Sequence, residues 1–128
     1  MSHGRVLVVL NTAGWVESAE IVSVLEEAGY TSAACTLDRF FTEQPYIQEC
    51  NALLLVGLGP RVVQGVELVE RIRSLAHGLP IVVISGHREV DVVKEIKAHG
   101  VCGFISKPIK YSLLIQAVKE ALQTKTAP

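Results

Sequence analysis

Short apolar runs alternate with amphipathic segments along this chain. The runs Arg5–Leu10, Ala52–Val56 and Ile81–Ser85 are almost continuously apolar, which is typical of parallel strands that are buried on both faces. Two weaker runs, at 31–37 and 103–106, predict a second strand rich in small residues and a short fifth strand. The pattern therefore predicts five strands.

The segments between these runs carry apolar residues at the three- and four-residue spacing of amphipathic helices. They predict helices over 17–28, 62–76, 89–99 and 111–123, and a shorter helix over 39–44. Gly29 and Gly100 follow two of these helices, in the position where glycine commonly ends a helix. Asp38 is predicted to cap the short helix, because its carboxylate can accept a hydrogen bond from the first turn.

Strict alternation of strands and helices predicts an α/β domain with a doubly wound, five-stranded parallel sheet and helices on both faces. The length of 128 residues suits one domain, which we expect to span 1–123, with 124–128 as a tail or the start of a linker. Folds of this kind place their sites at the carboxyl ends of strands. The candidate positions are therefore 10–15, 57–64, 85–88 and 106–108.

The composition excludes several classes of protein. A net charge of -1 without a basic run argues against nucleic-acid binding. No stretch reaches the roughly 20 apolar residues of a membrane span, and no signal peptide opens the chain, so we expect a cytoplasmic protein. Cys35, Cys50 and Cys102 are predicted to be reduced, apolar in character and free of zinc. No catalytic triad or metal motif is present, and we expect no enzymatic activity and no cofactor.

Aspartate is scarce in this chain. Of the 13 acidic residues only Asp38 and Asp91 are aspartates. We interpret Asp38 as a helix cap and Asp91 as an exposed helix position. Asp38 follows the second predicted strand, and Asp91 lies inside the fourth predicted helix.

The stretch 80–109, PIVVISGHREVDVVKEIKAHGVCGFISKPI, combines several short motifs in a fixed order. Ser85 ends the fourth predicted strand, Lys107 and Pro108 close the fifth, and Phe104 lies three residues before the lysine. This combination resembles the receiver domain of bacterial two-component response regulators. The resemblance implies a flavodoxin-like sandwich, switch roles for Ser85 and Phe104, a phosphoryl-contacting role for Lys107, and a cis peptide bond before Pro108.

The resemblance also implies a phosphoacceptor aspartate at the end of the third strand. Counting back from Gly65 without a gap puts Gly57 at that position, and a shift of one residue to fit Pro60 puts Val56 there. Neither side chain is a nucleophile. The sequence therefore predicts that the phosphoacceptor position is degenerate.

The same family resemblance implies a pair of acids after the first strand, which hold Mg²⁺ through anionic oxygen ligands. The pair aligns with Leu10 and Asn11, or with Thr12 and Ala13 if the loop is longer. None of the four is acidic, so we predict no metal site. Without these acids, Lys107 either bonds to strand-end carbonyls or turns to water, or it holds an anion together with the hydroxyl of Ser85 and loop N–H groups. These alternatives stay open.

The resulting hypothesis is a pseudo-receiver, a signalling domain that is not phosphorylated and acts through protein–protein contact. It would be the regulatory domain of a response regulator or transcription regulator, with an output domain, a kinase or another signalling protein as partner. Lys94, Lys97, Lys110 and Lys119 give the fourth and fifth helices a mildly basic side that could form a homodimer or partner surface. The alternatives are phosphorylation of an unusual residue and a flavodoxin-like binder of a small ligand or nucleotide.

Overall fold

The computed structural model describes residues 4–11, 15–43, 50–57, 62–75, 78–86 and 90–126. Strands and helices alternate throughout these ranges. In chain order they are β1 (Arg5–Leu10), α1 (Trp15–Glu27), β2 (Thr31–Thr36), α2 (Leu37–Glu43), β3 (Ala52–Val56), α3 (Val62–Leu75), β4 (Ile81–Ser85), α4 (Val90–Ala98), β5 (Val101–Ser106) and α5 (Tyr111–Thr126).

The five strands form one parallel sheet in the order β2-β1-β3-β4-β5. The strand order reverses at β1, which pairs with β2 on one side and with β3 on the other. The predicted doubly wound α/β fold is therefore confirmed. In folds of this type the reversal point marks the edge of the sheet where ligands bind.

Alternate residues of each central strand face opposite layers of the core. On one face, Leu7, Leu53 and Val83 pack with side chains of α2, α3 and α4. On the other face, Val8 and Leu54 pack with side chains of α1 and α5. All the residues of β3 and β4 are buried, which explains why these strands carry continuous apolar runs.

The cap of α2 is Thr36 and not Asp38 as predicted from the sequence. The helix begins at Leu37, and the Oγ1 atom of Thr36 accepts a hydrogen bond from the backbone N–H of Arg39 at 3.3 Å. Asp38 lies in the first turn, where its carbonyl accepts a hydrogen bond from the Thr42 hydroxyl at 2.9 Å. A threonine hydroxyl can accept the same hydrogen bond from the first turn as an aspartate carboxylate. Because Thr36 is the cap, the helix begins two residues earlier than predicted.

Two elements at the other end of the sheet are longer than predicted. The strand β5 begins at Val101 and contains an irregularity in its pairing with β4, where the register moves from Val101 to Gly103. The residue between them, Cys102, is exposed, so its predicted apolar role is wrong. The helix α5 continues to Thr126, three residues beyond the predicted end, because no proline or glycine interrupts it there.

Other features follow the sequence closely. Gly29 and Gly100 have φ angles of 97° and 89°, so both take the left-handed conformation expected after a helix. Cys35 and Cys50 are buried and reduced. None of the helices within the described ranges has the length and apolar character needed to cross a bilayer.

The three thiols are therefore expected to differ in reactivity. In the native protein, Cys102 should react with the disulfide reagent DTNB in a fast phase of one equivalent, because it is exposed. Cys35 should react slowly, since burial raises the pKa of its thiol, with a smaller opposing effect from Arg39. The absorbance of the coloured thiolate that DTNB releases measures the rate and extent of each phase. The fast phase should vanish in Cys102→Ser and persist in Cys50→Ser, and the opposite result would contradict the placement of β5.

Candidate functional site

The carboxyl ends of four strands meet at one edge of the sheet. The backbone N–H of Asn11 donates to the carbonyl of Val56 at 2.9 Å, and the N–H of Gly57 donates to the carbonyl of Ile84 at 2.7 Å. The N–H of Lys107 donates to the carbonyl of Ser85 at 2.9 Å. These bonds tie the ends of β1, β3, β4 and β5 together. We call Leu10, Asn11, Gly57, Ser85 and Lys107 the strand-end cluster.

The structure thus brings together most of the site residues predicted from the sequence. Thr12 lies outside the described residues. Leu10 is almost fully buried within the core layer formed with α1 and α5. Gly57 is buried and has a φ angle of 92°, a left-handed conformation that glycine adopts without steric cost. An L-residue with a side chain would strain the backbone at this position.

Ser85 is a polar residue that is almost fully buried, at 2% exposure. It pairs with Ser106 across the β4–β5 ladder, and Lys107 follows directly. The peptide bond between Lys107 and Pro108 is cis, as the resemblance implies. The cluster therefore contains a buried hydroxyl beside one half-buried lysine, with an apolar residue, an amide and a glycine on the neighbouring strands.

Phe104 lies two residues before the end of β5 and is partly buried. Its ring packs against the core layer that contains Val83, its neighbour across the ladder. On its other side Phe104 lines an open groove of about 630 Å³ between α4, β5 and α5. We call this the β5 groove. Its lining residues are Lys97, Cys102, Gly103, Phe104, Ile105, Ser106, Lys107, Pro108, Lys110, Leu113, Gln116, Ala117 and Glu120.

Only two of the four lysines that were predicted to form one basic side line the groove. Lys97 and Lys110 line it, whereas Lys94 and Lys119 are exposed outside its lining. Leu113, which is 54% exposed and lies within the groove, was not predicted from the sequence as a site residue. The signal was present, because Leu113 precedes the core position Leu114 and so cannot share its inward face of α5.

The comparison with protein families identifies this arrangement. The family model described as the response regulator receiver domain matches residues 19–119. The chain belongs to this family. The match covers most of the helices and strands of the fold, including β4 and β5.

Curated relatives support the same assignment. The transcriptional regulatory protein FixJ of Rhizobium meliloti is 32% identical over 71 residues, which cover 56% of this chain and 35% of FixJ. The response regulator protein TodT of Pseudomonas putida is 35% identical over 80 residues, which cover 62% of this chain and 34% of TodT. The matched stretch thus spans about a third of the length of these relatives.

Solved structures show the fold over nearly the whole chain. The FixJ-N crystal structure has a TM-score of 0.77 at 22% identity and covers 100% of both chains. The beryllofluoride-activated NtrC4 receiver domain dimer has a TM-score of 0.79 at 22% identity and covers 95% of this chain and 98% of that one. A response regulator from Thermotoga maritima has a TM-score of 0.76 at 18% identity, with 96% and 99% covered.

The strand-end cluster does not fit the Mg²⁺ ion that the family resemblance implies. Mg²⁺ requires a near-octahedral shell of oxygen ligands and is usually held by one or two carboxylates. The cluster holds no carboxylate, and positions 12–14 are Thr, Ala and Gly. Within the described residues, no group of three His, Cys, Asp or Glu side chains could hold a metal ion. We therefore derive no metal-dependent step for this chain.

Proposed function

We propose that this receiver domain signals through protein–protein contact and does not accept a phosphoryl group. Receiver domains are generally signalling domains and not enzymes, and this chain belongs to their family. The composition of the strand-end cluster supports the proposal that this domain does not accept a phosphoryl group. The domain would be the regulatory part of a response regulator or transcription regulator, with an output domain, a kinase or another signalling protein as its partner.

The observation that carries this proposal is Gly57 at the end of β3. Phosphoryl transfer to a receiver needs a carboxylate nucleophile and a cation that neutralises the charge of the phosphoryl oxygens. Gly57 has no side chain, and Val56, the alternative in the alignment, is buried and apolar. Leu10, the last residue of β1, and Asn11, which follows it, offer no carboxylate for the cation. Both requirements are therefore unmet in the same cluster.

The proposed context within a larger protein follows from the relatives. FixJ is a transcriptional regulatory protein and TodT is a response regulator, and the matched stretch covers about a third of each. We infer that this domain plays the regulatory part in a protein of that kind. The side of α4, β5 and α5 supplies the partner surface in this proposal, and a homodimer through α4 and α5 is one form of it.

Phosphoryl acceptance can be tested directly. Incubation with acetyl phosphate and Mg²⁺, followed by intact mass spectrometry, is expected to leave the mass unchanged because no carboxylate lies in the strand-end cluster. A receiver domain with its phosphoacceptor aspartate, treated in parallel, should gain about 80 Da, one phosphoryl group.

A stoichiometric gain of that mass by this chain would overturn the proposal. Ser85→Ala then serves as the second variant. A gain that disappears in Ser85→Ala would establish the alternative, phosphorylation of an unusual residue, at the buried hydroxyl of the cluster. A gain that persists would locate the acceptor elsewhere and would equally contradict the proposed function.

A further inference from the structure

The strand β2 lies at one edge of the sheet and is paired with β1. The backbone N–H of Thr31 donates to the carbonyl of Gly4 at 2.9 Å, so the polar backbone groups of Thr31 face β1. Because successive residues of a strand direct these groups to alternate sides, the N–H and C=O groups of Ser32 and Ala34 face away from β1. We call these outward groups the β2 edge. No strand within the described ranges pairs with them.

The residues of β2 leave this edge open. Exposed edge strands are commonly protected by lysine, by proline or by a covering segment. The strand reads TSAACT, without a charge or a proline, and Ala34 is exposed. The hydroxyl of Ser32 donates to the carbonyl of Val22 in α1 at 3.4 Å, so this side chain lies against the helix and does not block the edge. The β2 edge can therefore accept a further strand.

An apolar cavity of about 190 Å³ lies beside the first half of β2. Its lining residues are Arg5, Val6, Leu7, Thr31, Ser32, Ala33 and Cys50. The short side chains of Thr31 and Ala33 leave this space unfilled on one face of the strand. Since an apolar cavity of roughly 150 Å³ can hold benzene, this one has room for a Leu or Phe side chain that enters from a strand added at the β2 edge.

The helices α1 and α2, which pack on opposite faces of the sheet beside β2, carry an excess of acids. Their exposed acidic side chains within the described residues are Glu20, Glu26, Glu27, Asp38 and Glu43. The exposed basic side chains of the same region are Arg39, which pairs with Glu43 at 2.7 Å, and Arg5 in the cavity lining. The surroundings of the β2 edge are therefore negatively charged.

We propose that the β2 edge binds an extended, basic segment of a partner protein as a sixth strand, with one apolar side chain of that segment in the cavity. Backbone hydrogen bonds supply affinity and the cavity supplies specificity, as they do where a strand is added to a sheet edge. The acids of α1 and α2 favour encounter with a basic segment. Because β2 and β5 are opposite edges of the sheet, this site is separate from the partner surface of α4, β5 and α5 and does not rest on the proposed function.

A second copy of the chain fits the β2 edge less well. A two-fold axis that pairs β2 with β2 sets α1 against α1 and α2 against α2. Both helices bring an excess of acids, and like charges across an interface oppose association. The short side chains of β2 would also leave the cavity unfilled. A homodimer through α4 and α5, at the opposite edge, is unaffected by these arguments.

A random peptide library displayed on phage tests the inference. The library is first depleted on the Ala34→Pro domain and then selected on the unaltered domain. Proline removes an outward N–H group of the β2 edge and no hydrogen bond to β1, so the depletion removes peptides that bind other faces. We expect the enriched sequences to carry Lys and Arg around one large apolar residue. An enriched peptide, synthesised with a fluorophore, should bind more weakly as salt rises.

Amide hydrogen exchange followed by NMR locates the peptide on the domain. In the free domain, the amides of Ser32 and Ala34 should exchange faster than those of Ala33 and Cys35, whose N–H groups face β1. With the peptide in large excess over its Kd, exchange at Ser32 and Ala34 should slow by roughly tenfold or more, and by a smaller factor at Ala33 and Cys35. A peptide that occupied the cavity without adding a strand would leave the Ser32 and Ala34 amides unprotected.

Matched variants separate the backbone, the cavity and the charges. Ala34→Pro should weaken peptide binding by roughly tenfold or more, whereas Ala34→Thr, which keeps the N–H group, should weaken it by less than about twofold. Ala33→Leu fills the cavity from within and should also cost roughly tenfold, which keeps the test valid if circular dichroism shows Ala34→Pro unfolded. Glu26→Lys with Glu27→Lys should weaken binding by several fold, unlike Glu67→Lys with Glu95→Lys, which reverses two exposed acids of α3 and α4.

Each other outcome overturns the inference. An absence of enrichment, peptides that are neutral or acidic, unprotected amides at Ser32 and Ala34, or equal losses in the matched variants would contradict a basic strand at the β2 edge. A concentration-dependent dimer in sedimentation velocity that Ala34→Pro abolishes would assign the edge to a second copy. None of these results bears on phosphoryl acceptance, and a phosphoryl mass gain would contradict the proposed function alone.

Discussion

Replacement of Phe40 by alanine is expected to lower the free energy of unfolding by about 3–5 kcal/mol. Phe40 lies in the seven-residue helix α2 and is fully buried among side chains of the sheet and α3. Truncation removes the largest buried side chain of that helix and leaves a cavity that the surrounding sheet can fill only in part. Urea unfolding followed by circular dichroism measures the change as a lower midpoint at unchanged slope.

Phe41 provides the matched control in the same helix. Its ring meets that of Phe40 edge-to-face at a centroid distance of 5.4 Å and lies 4.1 Å from the guanidinium carbon of Arg71, but it is only partly buried. Phe41→Ala should therefore lower stability by about 1–2 kcal/mol, in proportion to the smaller area that it buries. Equal losses for the two variants would contradict the orientation of α2.

This helix also shows how far the sequence could predict the fold. The strands β1, β3 and β4 begin and end as predicted, because each is a continuous apolar run between polar residues. The predicted start of α2 was wrong by two residues, and the predicted end of β2 was wrong by one. Leu37 fits a strand by its apolar character alone, and only the hydrogen bond from Arg39 to the hydroxyl of Thr36 shows that the helix has begun.

The sequence likewise predicts some features of the candidate site and not others. The sequence predicts that Leu10, Asn11 and Gly57 lie at the carboxyl ends of strands in one parallel sheet, because strands and helices alternate along the chain. It does not predict the left-handed φ angle of Gly57, which depends on how the chain leaves β3. It also does not predict the β5 groove, which requires the irregular pairing at Cys102 and a stripe of α5 residues beside it.

The proposed loss of phosphoryl chemistry and the proposed partner surface are compatible in physical terms. A population shift needs a ligand that binds one conformation better than another. If the strand-end cluster holds neither phosphoryl group nor metal ion, the partner itself becomes the ligand that selects a conformation. A partner at the proposed surface of α4, β5 and α5 would then act on the domain through its own concentration, and a phosphate donor would have no effect.

The second large effect is expected at Arg73, which joins α3 to the segments that precede β4 and β5. Its Nη1 atom donates to the carbonyl of Leu79 and its Nη2 atom to the carbonyl of Gly100, each at 2.5 Å. Arg73→Met keeps an unbranched apolar stem and removes the guanidinium group with both donors. Because a charged donor contributes more than a neutral one and this site is partly exposed, we expect stability to fall by about 2 kcal/mol.

Arg71, two residues earlier on α3, is the control. Its guanidinium stacks over the Phe41 ring on the exposed side of the helix, so Arg71→Met should cost no more than about 1 kcal/mol. The same urea titration compares the two variants. A loss in Arg71→Met as large as in Arg73→Met would contradict a specific stabilising role for the two hydrogen bonds that Arg73 donates to Leu79 and Gly100.

Arg73 also links stability to the proposed partner surface. Gly100 lies between α4 and β5, and both elements supply residues to the β5 groove. When its carbonyl loses the Arg73 donor, the amide protons of β5 should exchange with solvent faster than those of β1, because the change is local to that edge of the sheet. Hydrogen exchange followed by mass spectrometry measures this difference. If β1 and β5 accelerate equally, Arg73 acts on global stability alone and does not hold the groove in place.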